Sequence, residues 1–430
     1  MTQAVKRTVK KEKRAVNAGA SRTSIHSPVH NLPPGDGHSG GSDSGLSNCS
    51  HNMTGPCIRA LYGLPTPTNK PNLDNALGLY EQGDYFAKSD LDLYWKNINT
   101  EVPEGTYPKP QLIDGANYSV PASSSLNGGE SNIDIEMAPT ALTRLTAKLA
   151  EIDLPAKSLS FRVRVNAKHK GHTIMFASGD YGVASFPGDG GNSNGCLGPD
   201  ARIFNPQYPS GCPYVTSVSG TMLYPGQAVT DAESVMQVNL GGTATNFSSA
   251  GGFSNMFQRP WYQELAIEEY FRVGNPSYPY YSELNVDVNT TTGLYNRIGR
   301  GIPDIAANGA YFESYLNGKL VHFFGSSLAS PLFASVITLV STSLFSTLFI
   351  FSATDSSQIN EERLAIGKSS VGFINPVLYL NPWALNDITN GTNLGCGTEG
   401  FPAVKGWDPA TGLGTPNYDK LRELFVEILP

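Results

Sequence analysis

At 430 residues with 40% hydrophobic content, the chain is long enough for one large domain or two with a substantial core. A net charge of −7, from 30 basic and 37 acidic residues, gives no electrostatic footprint for a nucleic-acid partner. The 45 glycines and 30 prolines indicate a loop-rich α/β enzyme, and the low basic count limits positive self-repulsion in acid.

Residues 1–56 start basic, without the apolar run of a signal peptide, and continue rich in Gly, Ser, Asn and His with almost no periodic apolar positions. They read as a disordered leader. Asn-x-Ser/Thr acceptors at Asn48, Asn52, Asn117, Asn246, Asn289 and Asn390 fit a secreted glycoprotein, and also arise by chance in such composition. The five cysteines show no metal-ligand spacing; Cys196 and Cys212 bracket a Pro/Gly-rich loop and are suited to close a disulfide.

The ordered part is expected from Cys57 onward. Residues 77–85 read as a short buried strand running into a turn, and 86–98 have helical spacing, together a βα unit. Glu81 and Asp84 read as a solvated strand end. In Gly128-Gly129-Glu130-Ser131-Asn132-Ile133-Asp134, a glycine pair precedes a polar helix start and sets Glu130 and Asp134 at i and i+4. On spacing alone the two are a solvated helix face; in a partly dry cleft they would share a proton and relay it in acid. Residues 142–152 then carry helical spacing between Pro139 and Pro155. Residues 173–177 form an apolar strand ending in Ser178-Gly179-Asp180, and functional groups gather at the carboxyl ends of parallel strands. Asp180 reads equally as a plain turn residue. Asp304, in Gly301-Ile302-Pro303-Asp304, reads as structural.

In Phe324-Gly325-Ser326-Ser327-Leu328-Ala329-Ser330-Pro331 a serine stands between a glycine turn and a helix start. Its hydroxyl would be exposed, with backbone N–H groups near the positive helix end where an oxyanion could be held. The alternative is a loop and N-cap ahead of a buried helix. Residues 332–354 hold no charge, long enough for a membrane span. They are equally suited to a buried helix. Asn386-Asp387-Ile388 and Val404-Lys405-Gly406-Trp407-Asp408 bring two carboxylates together with turn carbonyls, a set that suits Ca²⁺, although Asp-rich turns also form without metal.

These motifs, in this order, resemble the sedolisins, the serine-carboxyl peptidases of the subtilisin clan that include fungal tripeptidyl peptidases. Gly325-Ser326-Ser327-Leu328-Ala329-Ser330-Pro331 is similar to the Gly-Thr-Ser-x-Ala-Ser-Pro signature of subtilisin-like peptidases, with Ser326 in place of threonine. None of the seven histidines lies in a His-Gly-Thr-x-Val-Ala context, which points to the branch using a carboxylate base. The resemblance implies a subtilisin-like α/β domain over 57–430 with a mainly parallel central sheet flanked by helices. It implies Ser327 as nucleophile, Glu130 as its base, Asp134 orienting Glu130, and Asp180 lining the oxyanion hole and acting while protonated, hence acid activity. It further implies one structural Ca²⁺ held by Asp387, the Ile388, Val404 and Gly406 carbonyls, and Asp408. The expected enzyme is a secreted monomer, with no membrane partner, hydrolysing peptide or protein substrates as a tripeptidyl-peptidase or an endopeptidase. Two stretches depart from the family, 138–168 and 340–358; the family buries a helix over 332–339 and runs directly on from it, which implies that 340–358 is an insert, a retained intron. The first replaces a segment containing the substrate-binding edge strand, so the alternative is a catalytically impaired or inactive homologue. The leader is at most the remnant of a prodomain.

Overall fold

A computed structural model describes residues 30–32, 45–65, 77–81, 84–113, 119–142, 147–152, 173–238, 247–338, 363 and 366–429. The helices that bear on function are α1 (Gly55–Tyr62), α2 (Lys88–Asn97), α3 (Glu130–Leu142), α4 (Glu264–Val273) and α5 (Ser326–Thr338). The strands are β1 (His30–Leu32), β2 (Leu77–Glu81), β3 (Lys109–Ile113), β4 (Ala147–Ile152), β5 (Met175–Ala177), β6 (Thr216–Met222), β7 (Ile305–Asn308), β8 (Phe312–Leu316) and β9 (Lys319–Phe324).

The expected parallel sheet is present as two pieces. One runs β2-β4-β3 and the other β7-β6-β5, each pairing between these strands parallel. Every residue of β6 is buried, as in a strand covered on both faces. Helix α5 packs against β2 of the first piece and β5, β6 and β7 of the second, and so bridges them. Its buried Leu328, Leu332, Phe333, Val336 and Ile337 recur at helical spacing, each adding about 1.5–3 kcal/mol of apolar burial. Helix α3 packs along α5, and α1 and α2 pack on α3. A hairpin of β8 and β9 delivers the chain into α5, and β1 pairs antiparallel with the outer edge of β9.

Three expectations change. Residues 147–152 are a strand, β4, where helical spacing pointed to a helix; its backbone pairs with both β2 and β3, and that double ladder outweighs a weak local preference. Cys196 joins Cys396, not Cys212, which is buried and free. Close sequence neighbours were favoured, but the fold brings the distant 395–397 turn onto the 195–197 loop. Order begins before Cys57: a 3₁₀ turn spans Leu46–Asn48, and Cys49 is disulfide-bonded to Cys57. Among the described residues, no strand pairs with the β5 edge opposite β6. The insert at 340–358, most of the leader and 153–168 lie outside the described residues. No helix among the described residues is long and apolar enough to cross a membrane.

Candidate active site

The site is assembled where the carboxyl end of β5 meets the amino end of α5. Beyond β5, Ser178-Gly179-Asp180 turns under the Gly325-Ser326 corner. Ser326 N–H donates to Asp180 Oδ1 at 2.8 Å, and the Ser326 hydroxyl stands 2.8 Å from the same oxygen. That hydroxyl also accepts Gly179 N–H at 3.0 Å. Asp180 and Ser326 are both buried, whereas Ser327, the next residue, is half-buried. The pattern separates two adjacent serines: Ser326 is held inward as a structural link to Asp180, and Ser327 is left toward solvent at the first turn of α5.

Glu130 and Asp134 enter from the side, on α3. Both are buried, at 9% and 7% exposure, which removes the solvated-face reading of the pair. The start of α3 is pressed against the strand that leads to Ser327. Gly129 has φ +92°, and a Cβ there would lie 3.0 Å from the Phe323 ring. Only glycine lets the helix begin this close to β9.

Asp84 fixes that beginning. Its carboxylate accepts Gly128 N–H at 2.5 Å and Ser131 N–H at 2.7 Å, while its carbonyl oxygen accepts the Ser131 hydroxyl at 3.1 Å. In return, Asn132 Oδ1 accepts Ala87 N–H at 3.0 Å. A carboxylate receiving N–H groups at a helix start is favoured by the orphan donors and the dipole. Asp84 is 4% exposed, not the solvated strand end that local sequence implied. Its partners lie more than forty residues away, so no short-range pattern marks them; a lone Asp just before a helix-spaced run was the available signal.

Asp304 is structural, as expected. It accepts Ser217 N–H at 2.8 Å and the Gln263 amide and Tyr379 hydroxyl at 3.1 Å each, and pairs with the buried guanidinium of Arg300. It locks α4, through the preceding Gln263, to the base of β6.

The two C-terminal acids also converge. Gly406 N–H donates to Asp387 Oδ2 at 2.9 Å, and Val404 N–H to Asp408 Oδ2 at 3.2 Å, so one turn touches both carboxylates. Burial pushes the Asp408 carboxyl up to about 8, against the pull of its bonds from Thr411, Ala410 and Val404. Burial also raises Asp387, offset by Gly406 N–H and Lys405. A buried acid and an exposed one beside turn carbonyls fit a hard dication, whose charge would compensate both. Among the described residues no cluster of three or more His, Cys, Asp or Glu side chains is placed to hold a metal, so such a site depends on main-chain oxygens.

No protein-family model matches the chain. It is similar to aorsin of Aspergillus oryzae, 37% identical over 89% of this chain and 66% of aorsin. It is also similar to tripeptidyl-peptidase sed1 of Aspergillus fumigatus, 33% identical over 88% of this chain and 66% of that protein. The chain thus spans 66% of the length of these curated relatives, just short of two thirds. The aorsin alignment runs over 458 residues, more than this chain's 430, so aorsin carries internal residues that this chain lacks. In fold, the chain is similar to Pseudomonas sedolisin, a serine-carboxyl proteinase solved with two molecules of pseudo-iodotyrostatin. The TM-score is 0.61, at 20% identity over 87% of this chain and 97% of that one.

Proposed function

The chain belongs to the sedolisin family, the serine-carboxyl peptidases, and from that membership we propose that it hydrolyses peptide bonds through an acyl-enzyme in acid. Ser327 Oγ attacks the carbonyl carbon of the scissile bond, and its proton passes to Glu130, which Asp134 orients. The tetrahedral oxyanion is met by Asp180 and backbone N–H groups at the start of α5. Glu130 then returns its proton to the departing amine as the C–N bond breaks. Water, deprotonated by Glu130, attacks the acyl-enzyme and releases Ser327.

The observation that carries this reading is the bond from Ser326 N–H to Asp180 Oδ1, which holds an acid group one residue before the nucleophile. With Oδ1 accepting that N–H, a proton on this carboxyl belongs on Oδ2, the oxygen 3.7 Å from where a Gly325 Cβ would stand. A protonated Asp180 can donate to an oxyanion and an ionised one cannot, so activity should fall as the pH leaves the acid range.

The substrate is a peptide or protein, from which a monomeric enzyme releases tripeptides or cuts internally. Tripeptidyl-peptidase sed1 favours the first outcome by analogy. Asp387, Asp408 and the carbonyls of Ile388, Val404 and Gly406 would hold one Ca²⁺, which would brace the C-terminal turns without entering the chemistry. Secretion is supported by the two disulfides, which persist in oxidising compartments, and by exposed glycan acceptors at Asn289 and Asn390. Asn117 and Asn246 lie outside the described residues.

A second reading, a homologue that binds peptide without cutting it, is favoured by one observation. The outer edge of β5 has no strand partner among the described residues, and the aligned aorsin carries residues with no counterpart here. Hydrolysis of a mixed peptide library at acid and neutral pH separates the two. Turnover in acid that is lost in Ser327→Ala and in Glu130→Gln supports the enzyme; turnover absent from a folded wild-type protein supports the binder.

A further inference from the structure

Behind the nucleophile corner lies a second buried polar cluster that the reaction above does not use. Tyr62 ends α1 and is 2% exposed; its hydroxyl donates to Glu233 Oε1 at 3.1 Å and accepts the backbone N–H of Asn308 at 2.6 Å. Glu233 is 5% exposed and also accepts the Thr221 hydroxyl at 2.8 Å. Asn308 and Thr221 lie at the carboxyl ends of β7 and β6.

From there the contacts lead directly to the nucleophile. Gly309 N–H donates to the Thr221 carbonyl at 2.9 Å, and the Gly309 carbonyl accepts Gly325 N–H at 2.8 Å. A Cβ on Gly309 would lie 2.4 Å from the Gly325 oxygen, so these two backbones touch with no room for a side chain. Gly325 opens the corner that carries Ser326 and Ser327. On its other side α1 reaches the far end of the base-bearing helix, where Arg59 Nη1 donates to the Thr140 carbonyl at 3.3 Å. The disulfide Cys49–Cys57 and the bond from Met53 N–H to the Tyr311 carbonyl, 2.8 Å, hold this N-terminal segment in place. One short helix therefore touches both halves of the site, α3 at Thr140 and the Asn308–Gly309 floor at Tyr62.

We propose that Tyr62 and Glu233 are a positioning pair that sets the height of the Gly309–Gly325 contact, and with it the reach of Ser327 toward Glu130. The proposal rests on the peptidase reading for its kinetic consequence, but its structural core does not. A phenol and a carboxyl sealed in the interior gain little folding stability over apolar side chains of the same shape. What they supply is direction: the phenol can satisfy Glu233 and Asn308 N–H together only at one height of the β7 end. A small vertical error there is transmitted through two backbone hydrogen bonds to the attacking oxygen, and misplacements of about 1 Å can reduce rate by two orders of magnitude.

The test compares Tyr62→Phe, Glu233→Ala and Glu233→Gln in the full chain. Tyr62→Phe is expected to lower kcat about tenfold with KM within about twofold, since the lost interaction acts on the chemical step and not on substrate binding. Glu233→Ala should match it, and the double variant should be no worse than either alone, because both changes release the same link. Glu233→Gln keeps an acceptor for the Tyr62 and Thr221 hydroxyls and should recover most of the loss. Wild-type kcat in Tyr62→Phe overturns the proposal, as does a kcat loss equal to the loss of folded protein in a thermal melt. If wild type itself cleaves nothing, the fault lies with the peptidase reading, and amide hydrogen exchange decides alone. Faster exchange in Tyr62→Phe confined to residues 309–328 supports the positioning pair, and unchanged exchange there sinks it.

Discussion

The carboxylate of Asp84 accepts the backbone N–H of Ser131 at 2.7 Å, and this one bond fixes where Glu130 begins its helix. Gly128 N–H is held by the same carboxylate, so the turn ahead of Glu130 is clamped on both sides. In the proposed mechanism Glu130 takes the proton of Ser327 from the first turn of α3, so the position of that turn matters to the reaction. If Glu130 is the base, the Asp84 cap serves both stability and catalysis.

Asp84→Ala should lower stability by about 1–3 kcal/mol, because two N–H donors at a buried helix start lose their acceptor. It should also lower kcat more than it raises KM, since the frayed turn carries the proposed base. Asp84→Asn keeps one oxygen acceptor and should fall between. Urea denaturation alongside peptide hydrolysis checks both effects; a variant that loses stability yet keeps full kcat would show that Glu130 does not depend on the cap.

Asp180→Asn replaces a proton-dependent donor by a permanent one. If Asp180 is the oxyanion donor, it donates only while protonated, so wild-type activity should decline as pH rises. The amide donates at every pH, so its profile should stay flat further toward neutrality even if the peak rate is lower. A pH–kcat/KM profile for each protein reads this directly. Identical profiles would mean that another group sets the alkaline limb.

How much of this was readable from the chain depends on the range of the contacts involved. The Gly129-Glu130 helix start, the Ser178-Gly179-Asp180 turn and the Gly325-Ser327 corner are local: each is a glycine turn joined to a strand end or a helix start, and each forms where the residues indicated. Asp84 and Cys196 depart from their local reading for the opposite reason, as their partners stand 47 and 200 residues away. Strand β4 was misread because Ala147–Ile152 has little preference of its own and takes the slot between β2 and β3. Tyr62 and Glu233, 171 residues apart, carried no signal in sequence at all.

Glu136 gives the fold its own pH dependence. It is fully buried on α3, and burial pushes its carboxyl well above the ordinary 4.5, with the Ser314 hydroxyl pulling down and the charge of Asp90 adding to the rise. The folded state therefore holds this proton more tightly than the unfolded chain. Its contribution to stability is complete below pH 4.5 and is lost as pH rises toward the folded-state value. Glu233 is also raised by burial and acts in the same direction. The expected result is a melting temperature that falls from acid toward neutral pH. Glu136→Gln, which cannot ionise, should flatten that slope, and an unchanged slope would assign the dependence elsewhere.

Calcium should act on stability, not on chemistry. If Asp387 and Asp408 share a cation, a free concentration a hundredfold above Kd adds about 2.7 kcal/mol to unfolding. Chelation should therefore lower the melting temperature, and Asp387→Ala should remove the response while leaving the far-ultraviolet circular dichroism of the folded chain unchanged. A melting temperature indifferent to calcium and to chelator would leave the 404–408 turn as a hydrogen-bonded loop and nothing more.

The disulfide pattern makes the final prediction. Cys196–Cys396 closes a loop spanning 200 residues and ties the turn after Asn393 to the segment following Asp180. Gly182 lies so close to that turn that a Cβ would sit 1.8 Å from the Leu394 carbonyl oxygen, so the bridge holds the backbone just beyond Asp180. Breaking it by Cys196→Ser should lower stability by about 2–5 kcal/mol, the range for structural bridges, and should loosen Asp180 before the rest of the domain unfolds. With both bridges intact, Cys212 is the free thiol, buried within the turn that its own N–H closes onto the Pro209 carbonyl. A maleimide should therefore leave the folded protein unlabelled at this position and modify Cys212 once denaturant is added without reductant. Peptide mapping that instead found the label on Cys396, with Cys196 joined to Cys212, would restore the local pairing and remove the support for Asp180.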